Sequence, residues 1–256
     1  MTVTTHKMDE HVALVEFSNP PHNFFDVAMI QSLVHAYREL AETTASRAIV
    51  LCSDGRHFCA GANFRKRPAA DAAGPAPAPG PHLYDVAVGL LEQPLPVIAA
   101  VQGSAVGGGL GLALTADFRI ATANSRFLAN FSHVGIHPGF GISAMLPRLV
   151  GQQCSLDMLY NSRELDGGEA LRAGLCDRLA SDGELRAVAI RMAQDIARAA
   201  PLALRSMRVT LRAELVQAVK NVLARERSEQ ERLRESEDFK AGLAARRGKP
   251  PRFSGR

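Results

Sequence analysis

The chain has 256 residues, 46% of them hydrophobic, enough for a sizeable core in one domain or a domain with a small appendage. The net charge is +4, and residues 201–256 hold 14 Lys and Arg against 7 Asp and Glu, a basic surplus that suits an anionic partner. Nucleic acid is not expected as that partner: in "ARERSEQERLRESED" the basic residues interleave with acids as on a solvated helix face, and a chain with no Trp and three Tyr has no stacking platform.

The first residues, "MTVTTHKMDE", have no apolar h-region, which predicts no secretory signal and a cytoplasmic protein. His11–Phe17, "HVALVEF", reads as a strand that the prolines of "NPPHNFFD" end. Asp26 is placed to cap a helix whose apolar face is Ile30, Leu33, Val34, Tyr37, Leu40 and Ala41. Arg47–Ser53, "RAIVLCS", is a strand of the kind buried on both faces, and "DGRHFCAGANF" is the turn and loop after it. Arg65–His82 holds five prolines and two glycines and reads as a surface loop. A short helix, "YDVAVGLLEQ", and a strand, "LPVIAAVQG", follow. A glycine-rich turn then leads into the helix "LGLALTA" and the strand "DFRIATA".

Pro94–Ala116 is long enough to imitate a membrane span. Its five glycines, with Gln102, Ser104 and Thr115, fit a strand, a turn and a buried helix better, so no membrane partner is expected. A Gly- and Pro-marked loop and a helix occupy residues 135–151, and Gly174–Ser181 is a short strand. From Gly183 the reading is helical, with Pro201 suited to a first turn. This is an α/β core followed by helices, with a β-β-α pattern recurring at roughly 45-residue spacing. Cys52, Cys59, Cys154 and Cys176 form no CxxC pair and read as free thiols of a reducing compartment; no residue set has metal-site spacing.

Chemistry concentrates in "AVGGGLG". It is not a dinucleotide fingerprint, because a strand, a helix and another strand precede it. Its glycines serve either tight packing or the approach of backbone N–H groups to an anion at a helix N-terminus. A second small-residue turn, "HFCAGANF", also follows a buried strand. Two such turns can aim two backbone donors at one oxygen, the geometry of an oxyanion hole.

With "NPPHNFFD", "RAIVLCSDGRHFCAGANF", "PVIAAVQGSAVGGGLGLALTADFRIA", "GIHPGFGISAMLPRLVG" and the ending "FKAGLAARRGKPPRFSGR" in this order, the chain resembles the crotonase (enoyl-CoA hydratase/isomerase) superfamily over nearly its whole length. The resemblance implies an α/β spiral of β-β-α turns over residues 1–200 and a C-terminal helical oligomerisation region over 201–256. It implies a homotrimer or a dimer of trimers, an acyl-CoA substrate and no separate cofactor. It puts the two oxyanion donors on the N–H groups of Ala62 and Gly108. It also puts Cys59, Ala60, Ala62 and Arg65, with Arg246 and Lys249, along the coenzyme A moiety, and Lys66 beside them.

Hydratases of this family use two glutamates, and the matching positions are Gly111 and Phe131. Neither can carry a proton. Substitutes are sought nearby: His137 first, then His133, with Asn63, Ser104 and Asn130 as lesser candidates and Asp117 as a structural residue. The expectation is an atypical hydratase, isomerase, decarboxylase or lyase acting through a thioester enolate. The alternative is an acyl-CoA-binding relative without catalysis that acts as a structural or regulatory partner.

Overall fold

The computed structural model describes residues 1–42, 45–62, 81–245 and 251–256. In chain order they form β1 (Thr2–Lys7), β2 (Val12–Ser18), α1 (Val27–Ala41), β3 (Ala48–Ser53), α2 (Leu83–Glu92), β4 (Val97–Val101), β5 (Ser104–Val106), α3 (Gly108–Thr115), β6 (Phe118–Thr122) and β7 (Arg126–Leu128). Then come α4 (Phe131–Val134), α5 (Ile142–Tyr160), β8 (Glu164–Asp166), α6 (Gly167–Arg172), β9 (Arg178–Ala180), α7 (Leu185–Ala197), α8 (Pro201–Arg234) and α9 (Glu237–Ala244).

One sheet runs β1-β2-β3-β4-β6-β9 and a smaller one β5-β7-β8. The pairs β1–β2 and β7–β8 are antiparallel and the others parallel. β4-β5-α3 and β6-β7-α4 are successive β-β-α units: the first strand of each joins the large sheet and the second the small one. That stagger is the expected spiral.

β3 shows why its sequence is apolar throughout. Ile49 and Leu51 face the core shared with α1, α2 and α3, while Ala48, Val50 and Cys52 face α7 through Leu185, Ala189 and Met192. Both faces are covered, and each large aliphatic side chain fully buried there contributes about 1.5–3 kcal/mol. Asp26 caps α1, its Oδ1 accepting from Met29 N at 2.9 Å.

α8 lies across α2 and α5. It is tied to the sheet through Asp117, whose Oδ2 accepts from Val97 N and from Arg208 Nε, both at 2.8 Å, while Oδ1 lies 3.3 Å from Arg212 Nη1. Asp117 is therefore structural, as its place at a helix-to-strand turn suggests.

Three features differ from the sequence reading. β1 is an additional, largely exposed edge strand, and "TVTTHK" has no apolar face to announce it. β5, β7 and β8 have three residues each, too short for any period to register. The stretch read as a solvated helix face does carry exposed pairs such as Arg227–Glu231, yet Glu226 and Gln230 within it are buried. Among the described residues no helix is long and apolar enough to cross a membrane.

Candidate active site

The glycine turn is built from β5 onward. Gly107 has φ +53° and ψ −119°, which only glycine adopts readily, and its N–H donates to Leu128 O at 2.8 Å. Its carbonyl accepts from Gly111 N at 3.1 Å and opens α3. Gly108 is the first helical residue, so its N–H has no intrahelical acceptor and points out of the positive end of the helix.

The second turn leaves β3 and runs beside β5. Cys59 N donates to Ser104 O at 3.1 Å, and Val106 N returns to Cys59 O at 3.0 Å. Gly61 O accepts from Phe25 N at 3.0 Å. The Gly61–Ala62 peptide is trans, so the Ala62 N–H points the opposite way, away from Phe25. Neither Ala62 N nor Gly108 N has an acceptor among the described residues. The turns approach closely: a methyl on Gly61 would sit 3.1 Å from Gly108 N, and one on Gly109 would collide with Cys59 O.

Aromatic rings cover the turn. A methyl on Gly108 would sit 2.5 Å from Phe25 Cζ, one on Gly107 would touch Phe131 Cζ at 3.9 Å, and one on Gly111 would come within 2.9 Å of Phe140 Cδ1. Phe140 is buried and packs in a tilted arrangement against Phe25, with centroids 5.3 Å apart, and edge-to-face against Tyr84 at 6.4 Å. Its φ of +63° lies in the left-handed region, at a cost of about 1–2 kcal/mol for a residue with a Cβ. Of the two positions expected to match the family's glutamates, Gly111 is packed against the Phe140 ring and the other is itself a phenylalanine, Phe131.

Three titratable groups, His137, Glu226 and Tyr84, are held around α8. His137 Nδ1 donates to Pro138 O at 2.7 Å, and the His137 carbonyl accepts from Gln230 Nε2 at 2.8 Å. None of these bonds reaches the glycine turn. Glu226 accepts from Gly141 N at 2.8 Å, from Ser143 N at 3.1 Å and from the Ser143 hydroxyl. Burial raises its carboxyl above the ordinary value, against those three donors. Tyr84 donates to Gln230 Oε1 at 2.6 Å, and burial pushes its phenol up.

Cys59 is wholly buried, its thiol donating to Asn23 O at 3.0 Å and pushed up to about 12 by burial, so it is neutral at neutral pH. Its backbone groups are held by β5, and Ala60 N donates to His22 O at 3.0 Å. Asn130 Oδ1 lies beside Gly107, Ser104 carries the carbonyl that holds Cys59, and His133 is exposed. Asn63, Arg65, Lys66, Arg246 and Lys249 lie outside the described residues. Sequence reasoning missed Phe25, Phe140, Tyr84, Glu226 and Gln230. The one available signal was Phe140 as a bulky residue between two glycines.

A family model described as "Enoyl-CoA hydratase/isomerase" matches residues 7–256. The chain is 37% identical over 176 residues to a probable enoyl-CoA hydratase of Mycobacterium tuberculosis, covering 68% of each chain. It is 30% identical over 240 residues to a putative enoyl-CoA hydratase/isomerase of Bacillus subtilis, covering 93% of this chain and 92% of that one. It also matches the peroxisomal bifunctional enzyme of Cavia porcellus at 32% identity, but spans only 26% of that protein's length. Among solved structures, an enoyl-CoA hydratase/isomerase from Pseudoalteromonas atlantica T6c superposes with a TM-score of 0.88 at 27% identity, over 99% of this chain and 100% of the other. With the spiral, the paired turns and these likenesses together, the chain belongs to the enoyl-CoA hydratase/isomerase family.

Proposed function

We propose that the chain is an acyl-CoA enzyme whose Ala62 and Gly108 N–H groups take the thioester oxygen and stabilise an enolate, without a carboxylate at either usual acid position. The observation that supports this is the meeting of the two turns, with both N–H groups lacking an acceptor among the described residues. Donors fixed before the substrate arrives need no reorganisation as charge develops, which makes them worth more than water. Arg65, Arg246 and Lys249 are proposed for the phosphates of coenzyme A, and a trimer or dimer of trimers for the assembly.

Hydration of a 2-enoyl thioester also requires a group that takes a proton from water and one that delivers a proton to Cα. Gly111 and Phe131 supply neither. The best-fitting chemistry draws its electron pair from the substrate itself. In a malonyl-type thioester the bond between Cα and the carboxylate breaks, its electron pair enters the enolate, CO2 leaves, and solvent delivers a proton to Cα. Phenyl rings around the turn favour that step by excluding water from the carboxylate. A second reading, an acyl-CoA-binding protein without turnover, is favoured by the same tight packing, which leaves little room for a reacting water.

The test is turnover of crotonyl-CoA, a 3-enoyl-CoA and malonyl-CoA, followed by product mass, with His137→Ala run in parallel. Decarboxylation of malonyl-CoA, with crotonyl-CoA hydrated at least about 100-fold more slowly, is the expected result. Hydration of crotonyl-CoA at an ordinary enzymatic rate would overturn the acid-free reading. Loss of turnover in His137→Ala would transfer the proton chemistry to that histidine. Binding of all three esters with no product would favour the non-catalytic reading.

A further inference from the structure

Behind Phe140 an apolar seam runs away from Gly111, walled by Ala87, Val88, Leu91, Thr115, Val219 and Leu223, and too tight to hold a water molecule. It shares Tyr84, Val88 and Leu223 with a groove of about 620 Å³ between α2 and α8. The groove has Val88, Leu223 and Ala224 on its walls and a charged rim, where Lys220 pairs with Glu92 at 2.7 Å. Seam and groove adjoin at Tyr84, Val88 and Leu223. Phe140 is in contact with the Gly111 position and lines the seam.

We propose that Phe140 is the specificity-determining stopper of the acyl site: it confines the wild-type protein to short acyl groups and closes a path that would take a longer alkyl tail out between α2 and α8. This rests on the acyl-CoA reading above. The occupant is the alkyl tail of the thioester, because the proposed path starts at the turn where the carbonyl is proposed to sit and because its inner walls are apolar. The backbone points the same way. Position 140 has the left-handed conformation that suits glycine, yet it carries a phenyl ring that stands between the Gly111 position and the seam. Phe140→Gly therefore removes the ring in a backbone conformation that glycine accepts without strain.

The experiment measures the affinities of acetyl-, butyryl-, octanoyl- and dodecanoyl-CoA for the full chain by calorimetry, with thermal unfolding as a check that each variant is folded. For wild type, affinity is expected to fall by at least about tenfold from butyryl to octanoyl. Phe140→Gly is expected to raise the octanoyl-to-acetyl affinity ratio by at least about tenfold, as a few buried methylenes allow. Adding Leu223→Trp, which refills the seam, should return that ratio towards wild type. An unchanged ratio in folded Phe140→Gly, or a wild type that holds octanoyl-CoA as tightly as butyryl-CoA, would overturn the stopper. If wild type binds none of the four esters, the acyl-CoA reading fails and the stopper with it.

Discussion

Gly108 and Phe25 share one small volume, and each limits what the other can be. A methyl at 108 would lie 2.5 Å from Phe25 Cζ, too near for both to stay in place. Gly108→Ala should destabilise the fold by about 1–3 kcal/mol in urea titrations, and Phe25→Ala in the same chain should recover part of that loss. Ala62 allows a cleaner test of the donor pair. Its N–H has no acceptor among the described residues, so Ala62→Pro deletes a donor without breaking a described hydrogen bond. Turnover on whichever ester proves active should drop roughly 100-fold, with far less change in unfolding midpoint. Position 111 shows why an acid cannot simply be put back. The first side-chain carbon of Gly111→Glu would fall 2.9 Å from the Phe140 ring. The single variant should unfold earlier than wild type on heating, while Gly111→Glu with Phe140→Gly should recover much of that loss. The glycine turns were legible because consecutive small residues after a buried strand restrict what the backbone can be doing. The rings were not, because Phe25 and Phe140 reach the turn from well outside it in sequence.

At the scale of elements, α8 is held by two buried polar contacts of different kinds, one an ion pair and one a set of hydrogen bonds to a carboxyl. Arg208 is 6% exposed and pairs with Asp117, while its guanidinium also donates to the carbonyls of Leu91 and Gln93. Arg208→Met would leave Asp117 with Arg212 and those carbonyls with less than they need. A loss of about 3–5 kcal/mol is expected by denaturant unfolding. Glu226 fastens α8 to the start of α5. Its carboxyl is raised by burial, so above the ordinary value of 4.5 the folded chain holds a proton that the unfolded chain has lost. The stability this group contributes is full below 4.5 and falls as pH rises through the raised value. The gap in urea midpoint between wild type and Glu226→Gln should accordingly narrow as pH is raised from 4.5. A gap that widens would reverse that assignment. Strands and helices with a clear period were readable from sequence: β3 through its unbroken apolar run, α1 through Asp26 and its apolar face. Glu226 was not, since its burial depends on a partner 85 residues earlier in the chain.

Across the whole molecule, the two turns meet because parallel pairing sets β3 beside β4 in one sheet while Cys59 bridges to Ala105 on the small one. The spiral thus brings together two loops that are more than forty residues apart. This part of the site follows from topology and was readable once the order of motifs was clear. The proposed acyl end was not, because it is assembled from α2, α3, α8 and Phe140, which come together only in the folded chain.

The Gly61–Ala62 peptide carries one last consequence. Its N–H belongs to the main chain, so apart from proline no codon change at position 62 can delete it. A carboxylate, by contrast, disappears with one altered codon. A site that relies on such main-chain donors can lose its proton-transfer groups step by step while the donors remain. On the proposed reading, substitutions at Gly111 and Phe131 would alter proton transfer while leaving that donor in place, which makes these two positions the natural place for new reactions to arise.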